Sequence, residues 1–230
     1  MKYLWIAVIV VALAGCQGTG DKKVKLESQL DKVSYSIGLS IGKNLGRDSI
    51  VINQAAFLAG LNDAAVDTSK RLMSDAQVQE TMMEFQKEMV AKQQENARVA
   101  GEKNMKEGQE FLAKNKQRTG VVTLPSGLQY EVITEGTGKV PRPDQTVTAN
   151  YRGTLLDGTE FDSSFKRGQP ATFPVHSVIP GWSQALQLMK VGAKWKLYIP
   201  SDLGYGAQGA GNVIGPNSTL VFEIELLSIK

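Results

Sequence analysis

Cysteine and histidine are nearly missing from this 230-residue chain, which holds one of each, Cys16 and His176. One cysteine excludes an internal disulfide, and so few sulfur and imidazole donors exclude a Cys/His zinc site. A Ser-His-Asp triad would have to use His176, which reads as a surface loop residue. If the chain is an enzyme, its chemistry needs neither a metal nor a covalent intermediate, and no cofactor is expected. Aromatics are sparse at 7%, and Trp182 and Trp195 both fall late in the chain. Charge is nearly balanced: 26 Lys and Arg against 23 Asp and Glu leave +3. That is too little for a nucleic-acid footprint, and no basic stripe appears. A composition 42% apolar and 21% charged excludes a wholly disordered chain and a polytopic membrane protein. The length allows one or two domains.

The apolar run Tyr3–Ala14 has 12 residues, short of the roughly 20 that span a bilayer. Behind Met1-Lys2 it reads as a secretory signal over residues 1–15. Leu13-Ala-Gly-Cys16 resembles the bacterial lipobox. The resemblance implies cleavage before Cys16 and lipidation there. Several acyl chains would then hold the protein on a membrane, each buried CH₂ contributing about 0.8 kcal/mol. An ordinary signal with an accidental cysteine is the other reading. Gln17 stands where an Asp would mean inner-membrane retention, so the expected location is the bacterial envelope, as an outer-membrane lipoprotein facing periplasm or surface. Polar residues 16–30 read as a flexible tether.

Residues 31–118 contain no proline and are rich in helix formers. Three helices are expected. The first runs over 31–48, with Val33, Ile37, Ile41 and Leu45 on one stripe and Gly38, Gly42 and Gly46 on another. The second covers 53–66, capped by Asn53 and burying Phe57, Leu58 and Leu61. The third begins near Ser74, where Ser74 and Gln77 fit a capping box, and continues to Lys116. Its 43 residues make a rod about 65 Å long at about 1.5 Å per residue. Val78, Met82, Phe85 and Met89 give its start an apolar face. Nothing stops this helix before Lys116 except Gly101 and Gly108, and residues 90–110, almost wholly polar, read as a spacer. A bundle this small buries little by itself. Its stripes point to a homodimer through residues 31–90; packing of all three helices within one chain is the alternative. The resulting domains are a helical module at 31–73 and a connecting helix at 74–118.

At 119 the composition changes. All eight prolines lie beyond it, and glycine recurs every 8–15 residues. Alternating runs mark strands at Leu128–Thr134, Thr146–Gly153, Ala171–Pro174, Ala193–Ile199 and Leu220–Ile229. A further strand follows the Asp157-Gly158 turn and ends in Phe161-Asp162. One helical pattern, Gly181–Met189, presents Trp182, Leu186 and Met189 to the sheet. The fold class is α+β: an all-α amino-terminal module, a long helix, and over 119–230 an antiparallel sheet wrapped on one short helix. Three segments gather Tyr151, Phe161, Phe173, Trp182, Tyr205 and Phe222 around one acid, Asp162. These rings either form a pocket or are simply the aromatic core of a small domain.

Order and spacing add a resemblance. YRGTLLDGTEFDSS, VIPGWSQAL, and DLGYGAQG followed by PNSTLVFEIELL are similar to the signatures of the FKBP-type peptidyl-prolyl isomerases. Upstream, LDKVSYSIGLSIGKNLG, GLNDA and EFLAKNKQRTGVVTLPSGLQY resemble the macrophage infectivity potentiator type of this family, over roughly residues 28–230. The resemblance implies cis-trans isomerisation of X–Pro bonds in envelope proteins, without covalent chemistry. It implies Asp162, Tyr205 and Tyr151 as catalytic residues. Phe161, Phe173, Val178, Ile179, Trp182, Ile214 and Phe222 would bind substrate, with Trp182 as the floor under the proline ring. Tyr205 and the Ile179 N–H would grip peptide carbonyls, and Tyr151 and Arg167 would orient Asp162. Partners implied are proline-containing peptides, unfolded proteins and macrolide inhibitors. Ala171 replaces an aromatic of many relatives, Ala210 a histidine of some, and Phe165 is unusual. These departures bear on preference for the residue before proline and on macrolide binding. The alternative function is a dimeric chaperone clamp with little turnover.

Overall fold

A computed structural model describes residues 24–47, 49–65 and 71–230. The signal, the lipidation site at Cys16 and most of the tether lie outside the described residues. The chain divides into two compact units, Met1–Ser74 and Asp75–Lys230.

The first unit holds helices α1 (Gln29–Arg47) and α2 (Gln54–Ala65). α1 starts two residues before the expected Asp31 because Ser28 caps it. The Asp31 N–H reaches Ser28 Oγ at 3.1 Å, and the Ser28 N–H returns to Asp31 Oδ2 at 2.8 Å, a reciprocal pair that satisfies two orphan donors. Asn53 caps α2 as expected, accepting the Ala56 N–H at 3.1 Å. Half of the α1 stripe is open, with Val33 44% and Ile37 57% exposed, while Ile41 and Leu45 are part-buried. No described side chain from Val24 to Ala100 is buried.

The second unit opens with α3 (Asp75–Asn115), one continuous helix of 41 residues. Residues 90–110 are not only a spacer. From Gly101 onward the helix packs against the sheet domain, and Gly101, Gly108 and Asn115 are buried. A Cβ on Gly108 would stand 2.2 Å from Thr219 Oγ1, so only glycine admits this approach. Phe111 meets Tyr198 at 5.7 Å between centroids, and Asn115 Nδ2 donates to Gln129 Oε1 at 2.8 Å.

The sheet comprises β1 (Val121–Thr123), β2 (Gln129–Thr134), β3 (Thr146–Thr154), β4 (Glu160–Ser163), β5 (Ala171–Pro174), β6 (Lys194–Ile199) and β7 (Leu220–Ile229). Every pairing is antiparallel, in the order β1-β2-β6-β7-β3-β4. β5 shares the outer edge of β3 with β4. Alternation places Val147, Ala149, Tyr151 and Gly153 of β3 beside Phe222, Ile224 and Leu226 of β7, with Tyr151 opposite Ile224 and Gly153 opposite Phe222. These residues cover α4 (Pro180–Leu186), whose Trp182, Ala185 and Leu186 are buried with Met189, Leu197 and Ile199 in one core. Fully burying each large apolar side chain contributes about 1.5–3 kcal/mol. That driving force operates in this unit and is missing from the described part of the first.

Candidate active site

β3, β4, α4 and β7 converge at one end of this core on a slot of about 290 Å³, at the small end of the range for ligand clefts. Trp182, 3% exposed at the first turn of α4, is its base. Three rings meet the Trp182 ring nearly edge-on: Tyr151 at 5.1 Å and 88°, Phe222 at 5.2 Å and 82°, Phe173 at 5.6 Å and 79°. Phe161 completes the wall, packing on Phe222 at 5.4 Å and 83°. Edge-to-face pairs of this kind contribute about 0.5–1.5 kcal/mol each beyond their buried area. Gly153 lies behind them, and a Cβ there would come within 2.6–2.7 Å of the Phe222 and Phe161 rings.

Polar groups sit on one rim. Tyr151 donates its hydroxyl to Asp162 Oδ2 at 2.5 Å and accepts from Arg167 Nη2 at 2.5 Å. Arg167 also donates to Asp162 Oδ1. Burial pushes the Asp162 carboxyl up, but the hydrogen bonds from Tyr151 and Arg167 and the Arg167 charge outweigh it, so the carboxyl sits below its ordinary value. Burial, then the bond to Asp162, raises the Tyr151 phenol. Tyr205 lines the slot from a loop between two 3-10 turns, 40% exposed. Burial first and the Asp162 charge second push its phenol above the ordinary value. No group among the described residues hydrogen-bonds the Tyr205 hydroxyl. The Ile179 N–H has no backbone partner either, since Ile179 is the N-cap of α4 and precedes its hydrogen-bond ladder.

The loop after β4 is tied down twice. The Tyr151 N–H donates to Ser164 Oγ at 2.9 Å, and the Ser164 N–H returns to the Tyr151 carbonyl at 2.9 Å. Glu160 holds Arg152 at 2.7 Å and Lys166 at 2.9 Å. Sequence reasoning named neither Ser164 nor Glu160 for this work; the second serine of Asp-Ser-Ser was the available signal.

Nine of the ten expected site residues line the slot: Tyr151, Phe161, Asp162, Phe173, Val178, Ile179, Trp182, Tyr205 and Phe222. Ile214 does not. It is 7% exposed and pairs with Ala210 in a short bridge beneath the Tyr205 loop. Ser177 lines the slot without having been anticipated. Ala171 is part-buried at the start of β5, Phe165 is 60% exposed, and His176 is exposed, in the 3-10 turn Val175–Ser177 rather than a loop. A second cleft, about 320 Å³, lies between α3 and residues 155–157. It is lined by polar and aliphatic groups and has neither an aromatic wall nor a phenol-held carboxylate. Among the described residues no cluster of three or more His, Cys, Asp or Glu could hold a metal.

The slot thus combines an aromatic lining, one braced carboxylate and two donors without a hydrogen-bond partner among the described residues. Comparison with known proteins gives the family. The FKBP-type peptidyl-prolyl cis-trans isomerase profile matches residues 138–227, and the domain amino terminal to FKBP-type peptidyl-prolyl isomerase matches residues 30–132. The outer membrane protein MIP of Legionella longbeachae is 42% identical over 230 residues, covering 100% of this chain and 98% of that protein. The peptidyl-prolyl cis-trans isomerase Mip of Coxiella burnetii is 43% identical over 212 residues, 92% of each chain. The crystal structure of FkpA from Escherichia coli is similar with a TM-score of 0.72 and 36% identity, covering 89% of this chain and 98% of that one. The chain belongs to the FKBP-type peptidyl-prolyl cis-trans isomerases, with the amino-terminal domain that accompanies them.

Proposed function

We propose that the aromatic slot is where this chain turns X–Pro bonds, with Asp162, Tyr205 and Tyr151 as its polar groups. The observation that carries this is the enclosure of Trp182 by ring edges beside a single braced carboxylate. Rotation about a peptide bond costs about 18–20 kcal/mol because it breaks amide resonance. The twisted amide has less charge separation than the planar one, so an apolar, water-poor slot favours it. The Trp182 face holds the proline ring, while Tyr205 Oη and the Ile179 N–H donate to the flanking carbonyls and fix the chain as the amide turns. Asp162 places a fixed charge beside the rotating bond, and no proton or bond is transferred. Ile214 shapes the Tyr205 loop from below. Trp182→Ala tests the assignment: peptide isomerisation should fall at least about tenfold while the chain remains folded, and undiminished activity would reject it.

The proposed clients are proline-containing segments of folding envelope proteins, where prolyl exchange limits the rate. One relative is called an outer membrane protein; a lipidated Cys16 would hold this chain at the same place. Uncovered apolar residues from Val24 to Ala100 support a homodimer through residues 31–90. They also support a second reading, in which paired chains clamp bulky clients independently of turnover. Asp162→Ala separates the two, since suppression of client aggregation should survive it if the clamp does that work.

A further inference from the structure

The carboxy-terminal half of α3 grips the segment Gly215–Thr219, which joins the Tyr205 loop to β7. Asn104 Nδ2 donates to the Pro216 carbonyl at 2.8 Å, and Asn217 Nδ2 donates to the Gly101 carbonyl at 3.3 Å. The backbones are close enough that a Cβ on Gly101 would lie 3.1 Å from Pro216 Cβ. Asn217 also reaches the other way. Its N–H donates at 2.9 Å to the carbonyl of Gly206, the residue after Tyr205. Asn217 occupies the left-handed region, φ 55°, which lets its side chain face the helix while its N–H faces the loop. One residue therefore links the long helix to the backbone that carries the phenol.

Beyond Leu203, Ala210 and Ile214, which pack in or against the core, the loop has little to hold it. Gly206, Gly209 and Gly211 all have positive φ, and its regular structure is two short 3-10 turns and one bridge. Such a segment has a low cost of local opening unless something outside it is fixed. Asn104 and Asn217 are only part-buried, and Asn104 lines the 320 Å³ cleft, so their bonds can break without disturbing the core.

We infer that α3 is a positioning element for Tyr205, acting through Asn104 and Asn217. The inference rests on the reading of Tyr205 as a donor in the slot. A rotation or shift of the helix moves the Gly101 carbonyl and Asn104 together, and with them the Gly206 backbone. What the amino-terminal arm experiences can thereby reach the slot without any contact between client and loop.

Two measurements on the full chain test this. In Asn104→Ala, amide hydrogen exchange at Asn217, Ala210 and Ile214 should accelerate about three- to tenfold, while Ile224 in β7 stays unchanged. Asn217→Gly keeps the left-handed backbone and the N–H, removes only the side-chain amide, and should behave alike. In peptide isomerisation, Asn104→Ala should lower kcat/KM about three- to tenfold in the wild-type background and less than twofold in Tyr205→Phe. Unchanged exchange at Asn217, or losses that simply add, would overturn the inference and leave the Tyr205 reading intact. Wild-type activity in Tyr205→Phe alone would overturn that reading, and with it the link from α3 to catalysis.

Discussion

Tyr151 and Asp162 are joined by a hydroxyl-to-carboxylate hydrogen bond of 2.5 Å, and Arg167 closes the pair by donating to both. The carboxylate is thus braced from within the chain. It enters the slot as a fixed charge on a wall that is otherwise aromatic, and its rotamer does not depend on substrate.

The brace predicts the acid limb of activity. The Asp162 carboxyl lies below its ordinary value of 3.8, since the Tyr151 and Arg167 bonds outweigh burial. A lowered folded-state pKa means that the unfolded chain binds the proton more readily, so stability rises with pH through this window. That stability is complete above the unfolded value, from about pH 5, and is lost as pH falls through the lowered pKa. Isomerase rate should therefore be flat between about pH 5 and 8 and fall only below about pH 4. In Arg167→Ala the acid limb should move to higher pH because burial then counts for more. An acid limb at the wild-type position in that variant would exclude Arg167 as the brace.

Close approach of α3 to the sheet domain predicts an unusual glycine effect. Ala normally stabilises a helix over Gly by about 1 kcal/mol. At Gly108 the added methyl meets buried Thr219 at 2.2 Å, and overpacking costs about 1–3 kcal/mol. Gly108→Ala should lose stability, and Thr219→Ala in the same chain should restore part of it. Urea unfolding of the two single variants and the double variant measures this; a stabilised Gly108→Ala would contradict the packing.

These contacts mark where sequence reading succeeds and where it stops. β5 and β7 begin and end where alternation places them: β5 alternates a part-buried and an open face, and β7 alternates a buried and a part-buried face from Leu220 to Leu226. β1 is missed: its three residues bury little, and it exists only as a partner to Gln129–Glu131 of β2. The stretch 90–110 reads as a spacer, but from Gly101 onward it packs, because Gly101, Asn104 and Gly108 make contacts that no hydrophobic periodicity reports. The site is legible through its rings, whose bulk and order are distinctive. Ile214 is assigned to the slot by family resemblance, yet it pairs with Ala210 in a short bridge and sits in the core.

The open half of the α1 stripe predicts the assembly. Val33 and Ile37 are 44% and 57% exposed, and apolar patches of this kind mark interfaces. Light scattering at micromolar concentration should give twice the chain mass for the wild type and one chain mass for Ile37→Asp. A monomeric wild type would exclude a homodimer through residues 31–90.

The proposed membrane anchor is a set of acyl chains on Cys16. Cys16→Ser should shift the protein from the membrane to the soluble fraction of the envelope, since the acyl chains supply the binding. A serine variant that still sediments with membranes would exclude lipidation as the anchor.

The most direct test of the slot is cis-to-trans exchange of a short Leu-Pro or Phe-Pro peptide with the wild-type chain, Asp162→Ala and Tyr205→Phe. Strong acceleration by the wild type is predicted, with a loss of about tenfold or more in Asp162→Ala and a smaller loss in Tyr205→Phe. A folded wild-type chain that leaves the exchange unaccelerated, or an Asp162→Ala chain as fast as the wild type, would contradict the account.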